Sequence, residues 1–144
     1  MKKLLLLSFA SLLALSCNND DDNNPPTGNG GLFDSWTLTE VDGGFAGTLD
    51  NFSEGTIVWT FNQQAGTVTV VNNNADENTV DFFESGTYNF EFVPNEISPQ
   101  NCSESLNIDT MEFGCYNIQG IEMKLDQHMD DGYVLTFKRA DLTD

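Results

Sequence analysis

The chain has 144 residues, with 23 Asp+Glu against 5 Lys+Arg and a formal net charge of −18. That length suits one domain and not a multidomain machine, and so few cations exclude the basic patches that hold nucleic acid or an anionic lipid surface. After residue 16 there is no apolar run of about 18 or more residues, which excludes a polytopic helical membrane protein.

Met1-Lys2-Lys3 is a short basic start, and Leu4 to Leu15 is apolar apart from Ser8 and Ser11. This has the length of the apolar region of an export signal and is too short to cross a bilayer. Ala14-Leu15-Ser16-Cys17 resembles the lipobox of bacterial lipoproteins. That resemblance implies that residues 1–16 are a removable signal peptide, with Cys17 diacylated on sulfur and acylated on its amine. The alternative is an ordinary signal peptide with a Cys near its end. Cleavage removes Lys2 and Lys3 but no acid, leaving three cations against 23 acids, a charge of −20. Two or more acyl chains anchor a protein stably where one does not, so a triacylated Cys17 would hold this acidic domain on a membrane. Asn18 to Gly31 has no apolar residue. Residues 17–31 therefore read as the lipidated Cys and a disordered acidic tether, spanning roughly 20 Å as a flexible coil. Asp20-Asp21-Asp22 resembles the signals that send lipoproteins of the Bacteroidota to the outer cell face, a solvated spacer being the alternative. The expected location is the outer membrane, lipid-anchored and exposed at the cell surface.

From Leu32 the composition changes, and residues 32–144 read as one all-β domain. Short runs rich in Trp, Phe, Val, Ile and Thr are broken by Gly, Asn, Asp and Pro. Alternation predicts a first strand near 35–41 and a second near 56–62; the turn Gln63-Gln64-Ala65-Gly66 leads to a third over Thr67–Asn72. Residues 72–78 are polar and read as loop, and Asp81-Phe82-Phe83-Glu84 has no clear type. Tyr88, Phe90 and Phe92 mark the clearest strand, ended by Pro94. Further strands follow at Leu106 and Ile108, at Met111–Phe113, at Tyr116 and Ile118, through Ile121, Met123 and Leu125, and from Tyr133 to Lys138 after the turn Asp130-Asp131-Gly132. These make seven to nine short strands and no sustained helical periodicity. Connections this short favour antiparallel meanders, and closure is the simplest way to hide the edges. The expected fold is an up-and-down antiparallel barrel of about eight strands, with a two-sheet sandwich as the alternative.

The order and spacing of Ser35-Trp36-Thr37-Leu38, Gly55 to Phe61, Gly86 to Phe90 and Tyr133 to Arg139 resemble the lipocalin-like domain of secreted Bacteroidota lipoproteins. The resemblance covers about Phe33 to Arg139 and implies a small barrel on a lipid anchor, in a family whose members mostly lack a known activity. Counting by twos from Tyr133 through Leu135 and Phe137 gives Arg139 inward parity. Trp36 is inward by the same test, so an Arg139–Trp36 contact, worth about 0.5–2 kcal/mol, is a candidate where first and last strands meet, a solvated Arg139 at a frayed strand end being the alternative.

Candidate chemistry is sparse. With Cys17 lipidated, Cys102 and Cys115 remain, and an exported setting favours a disulfide between them, worth roughly 3 kcal/mol; buried free thiols or a metal pair are the alternatives. His128 is the single histidine, and a zinc site needs three or four N/S ligands. No catalytic residue, metal site or cofactor is expected. Asp20–Asp22 and Asp126, Asp130 and Asp131 offer oxygens without the spacing of a calcium loop. Trp59, Phe61, Tyr88, Phe90, Phe92, Leu135 and Phe137 are the candidates to line a cavity, the alternative being that such large inward side chains simply fill the core. The expected function is noncatalytic binding of a small apolar or glycan-like ligand, or of a protein partner, beside the membrane contact through the anchor. The rival is a structural or assembly component of the cell envelope with no small-molecule ligand.

Overall fold

The computed structural model describes Leu32, residues 34–96 and residues 100–140; the proposed signal, Cys17 and the tether lie outside the described residues. Nine strands follow in chain order: β1 (Ser35–Gly43), β2 (Thr48–Asn51), β3 (Ile57–Asn62), β4 (Thr67–Asn72), β5 (Gly86–Pro94), β6 (Glu104–Ile108), β7 (Met111–Gln119), β8 (Glu122–Asp126) and β9 (Tyr133–Arg139). Every pairing is antiparallel and sequential from β3 to β9, and β9 returns to β1. The result is a closed eight-stranded barrel with β2 as one extra strand, consistent with a lipocalin-like barrel. One edge of β1 is shared: its first residues pair with β3, and Glu40 to Gly43 pair with β2. Nothing in Thr48–Asn51 alternates in the way that marks a half-buried strand, so β2 was not foreseen; it exists because β1 outruns β3 and leaves a row of backbone groups to pair. Ile121, counted by twos with Met123 and Leu125, belongs instead to the two-residue turn between Gln119 and Glu122 and is 67% exposed. Gly120 supplies the positive φ that such a hairpin needs at its first position.

Two bulges set which residues face inward. In β1 the register with β9 shifts between Leu38 and Glu40. Trp36 and Leu38 are therefore inward, and so is Val41, three positions on; all three are fully buried. In β7 the shift falls at Gly114, whose φ is +71. Phe113 is inward before it, and Tyr116 and Ile118 are inward after it, opposite the buried Leu125 and Met123. The extra residue re-aims the strand. It also turns Cys115 away from the interior, beside Asp126 and within reach of the β5–β6 loop.

The core is a cluster of ring stacks. Trp59 sits at the centre, with Phe83 and Phe113 edge-on at 5.4 and 5.6 Å between centroids and Phe137 at 5.0 Å. These rings come from β3, the β4–β5 loop, β7 and β9, so they span the barrel's cross-section. The loop of residues 73–85 thus supplies core, although its sequence is mostly polar. Its neck is tied where Asn72 N donates to Ser85 Oγ and Ser85 Oγ donates back to Asn72 O. Asn72 Nδ2 reaches inward to Phe83 O and Asp81 Oδ2, and Val80 N donates to Asp50 Oδ2 of β2. Backbone and side-chain N–H groups of Asn78 hold the Asp76 carboxyl below its ordinary value.

Candidate functional site

At the seam where β9 meets β1, Arg139 is the direct register partner of Trp36. Its guanidinium carbon lies over the Trp36 ring, 4.9 Å from the centroid. Asp34 forms an ion pair with the same guanidinium, and both side chains are about a quarter exposed (24% and 25%). The sequence reading missed Asp34; its place two residues before Trp36 puts its carboxylate beside an inward Arg on the neighbouring strand. Trp36 Nε1 donates to Leu32 O at 3.0 Å, so both faces of the seam are satisfied. One strand-position away, Lys138 donates to Glu54 Oε1 at 2.7 Å, and that contact raises the amine above its ordinary pKa. The seam closes the barrel.

The seven cavity candidates divide into three groups. Trp59, Leu135 and Phe137 are fully buried and Phe61 nearly so; all four belong to the packed core. Tyr88 packs on Phe83, centroids 4.5 Å apart, and donates its hydroxyl to Glu84 O, so it braces the β4–β5 loop. Phe90 and Phe92 behave differently. They continue a file of rings that starts at Phe61: Phe61–Phe90 at 5.4 Å, Phe90–Phe92 at 5.9 Å and Phe92–Tyr116 at 5.5 Å. Phe90 and Phe92 are half-buried and Tyr116 is 40% exposed, although all three have inward parity. The file therefore surfaces at the end of the barrel where β1 begins and β5 finishes. Tyr116 was not among the candidates, because the bulge at Gly114 decides its side and two-residue counting does not see a bulge.

Cys102 and Cys115 form a disulfide with Cα atoms 5.8 Å apart. It pins the β5–β6 loop to the outer wall, where Asn95 Nδ2 lies 3.1 Å from Cys102 Sγ. Beside it is a hollow of about 430 Å³ of mixed polar and apolar lining, which includes Cys115, Tyr116, Asn117, Asp126, His128 and Val134. His128 Nδ1 is 3.3 Å from Asp126 Oδ1, and its backbone N–H donates to the same oxygen. Among the described residues no three His, Cys, Asp or Glu side chains gather in one place. Asp130 and Asp131 are exposed loop residues, and Asp20–Asp22, like Cys17, lie outside the described residues.

Comparison with known proteins gives no relative to lean on: no family model, no curated protein and no solved structure matches this chain.

Proposed function

We propose that this protein is a lipid-anchored lipoprotein of the outer membrane, exposed at the cell surface, whose barrel binds a small neutral apolar or glycan-like molecule without catalysis. The supporting observation is the partly exposed file Phe90, Phe92 and Tyr116, three touching rings on the inner face near one barrel end. Aromatic rings left half-covered on the inner face of a barrel are an inventory for apolar contact or for stacking on a sugar face. Ser35, the first residue of β1, lies at the same end, so an anchor at Cys17 would keep this mouth near the membrane. The formal charge of −18 disfavours anionic ligands. Octyl glucoside below its micellar concentration carries both chemistries and is the test probe. Calorimetric titration should show binding that Tyr116→Ala or Phe92→Ala weakens about tenfold, the loss of one ring contact. Unchanged binding in both variants would remove this site. The anchor has its own test: wild type should take up radiolabelled palmitate and partition into detergent, while Cys17→Ser should stay in the aqueous phase.

A second reading, a structural or partner-binding component of the envelope, is favoured by Phe45. This residue is 92% exposed at the tip of the β1–β2 hairpin, where an apolar ring gains nothing unless another surface covers it.

A further inference from the structure

The β4–β5 loop carries two features that a simple connection does not need. Phe82 has a φ of +65, a left-handed backbone that a bulky residue adopts only when its surroundings impose it. The constraint is a tight turn in which Phe83 N donates to Asp81 O across Phe82, backed by ring contacts: Phe82 meets Phe113 and Tyr133 edge-on, both at 5.3 Å. Phe83 beside it is pushed among Trp59, Tyr88 and Phe113. The neck of the loop is fixed by the Asn72–Ser85 bonds, while residues 75–78 at its tip are exposed. The segment is built as a plug on a fixed neck, entering from the barrel end opposite the mouth lined by Phe92 and Tyr116.

A third feature belongs to Trp59, whose ring meets that of Phe83 edge-on. Trp59 Nε1 is buried and has no hydrogen-bond partner, whereas Trp36 Nε1 in the same core is satisfied. A buried indole N–H normally finds an acceptor, because leaving it unpaired forfeits its bond to water. The rings around Trp59 offer only weak N–H···π contact.

We propose that Phe82–Phe83 is a displaceable plug, and that the molecule replacing it is a neutral ring-bearing compound with one hydrogen-bond acceptor, received by Trp59 Nε1. The incoming ring takes the place of the Phe83 ring between Trp59, Tyr88 and Phe113, and its carbonyl or ether oxygen satisfies the indole. Displacement releases Phe82 from its left-handed backbone, so the closed state is held by ring packing and by the bonds from Asn72 Nδ2 to Phe83 O and Asp81 Oδ2, which opening must break, and is opposed by its own strain. This inference rests on the reading that the barrel takes a small ligand, but it concerns the opposite end from the mouth.

The test uses 4-phenylbutan-2-one and butylbenzene, matched in skeleton and differing in the carbonyl, with ¹⁵N-labelled protein. The two indole N–H cross-peaks report on Trp36 and Trp59 separately. The ketone should move the Trp59 peak downfield and leave that of Trp36 in place, and it should bind about tenfold more tightly than the hydrocarbon. Trp59→Phe should abolish that preference. Phe83→Ala and the milder Phe83→Leu should tighten binding of both probes, since the plug no longer competes. Tyr116→Ala should leave the preference intact, so failure of the mouth site and failure of the plug give different results. An unmoved Trp59 peak at saturating ketone, equal affinity for the two probes, or weaker binding in both Phe83 variants would overturn the proposal.

Discussion

Gly114 is the residue on which the inner lining of β7 depends, and its replacement by Ala gives a sharp test. Its φ of +71 costs an L-residue about 1–2 kcal/mol. A Cβ built there would also stand 2.1 Å from Asp126 O and 2.7 Å from Gln127 Cα. Both are backbone atoms, so relief requires β7 and β8 to separate where Cys115 pairs with Asp126. Overpacking of that kind costs about 1–3 kcal/mol more, giving about 2–5 kcal/mol in all, a large share of the 5–15 kcal/mol typical of a domain. Gly120 is the control. Its φ is +64, but a Cβ there meets nothing within 4 Å, so Gly120→Ala should lose only the backbone part, about 1–2 kcal/mol. Urea unfolding followed by Trp fluorescence gives both values from midpoint and slope. If the two variants agreed within about 0.5 kcal/mol, the close approach of β7 to β8 at the bulge would be wrong.

Three further outcomes are expected. Removing the Cys102–Cys115 bond as Cys102→Ser/Cys115→Ser, a sequence separation of 13, should lower stability by about 3 kcal/mol; a loss below about 1 kcal/mol would mean the loop it pins is already ordered without it. At the barrel seam, Arg139→Met should cost about 1–2 kcal/mol in wild type and less in an Asp34→Asn background, because Trp36 and Asp34 share one guanidinium; additive losses would show that the three do not act together. The raised pKa of Lys138 means its contribution is complete below the unfolded amine's value and is lost as pH rises through the folded one. NMR titration of its ε-methylene should show the upward shift disappear in Glu54→Gln, and a shift that survives would remove Glu54 as its cause.

The two-residue rhythm was legible because it is local: a strand half-buried in a barrel must alternate, so Ile57, Trp59 and Phe61, or Leu135 and Phe137, announce both a strand and its inner face. The same counting reached Arg139 opposite Trp36, since β9 runs from Tyr133 to Arg139 without a break in parity. The fold class and most strand positions follow from that rhythm and from turn residues alone. The contents of the barrel do not. The shifts at Leu38/Glu40 and at Gly114 each reverse the count, and an isolated Gly or Thr does not say on its own whether the neighbouring strand will oppose it with one residue or two. β2 forms only because β1 is left unpaired beyond β3. Phe82 and Phe83 lie in a polar stretch with no period, and they become core because the closed barrel presents the rings of Trp59, Phe113 and Tyr133 to them. Asp34 gains its role from a residue on the far strand of the chain. Periodicity belongs to neighbours in sequence, whereas parity after a bulge, the filling of an interior and the partner of a charge belong to neighbours in space, and only closure of the sheet brings those together.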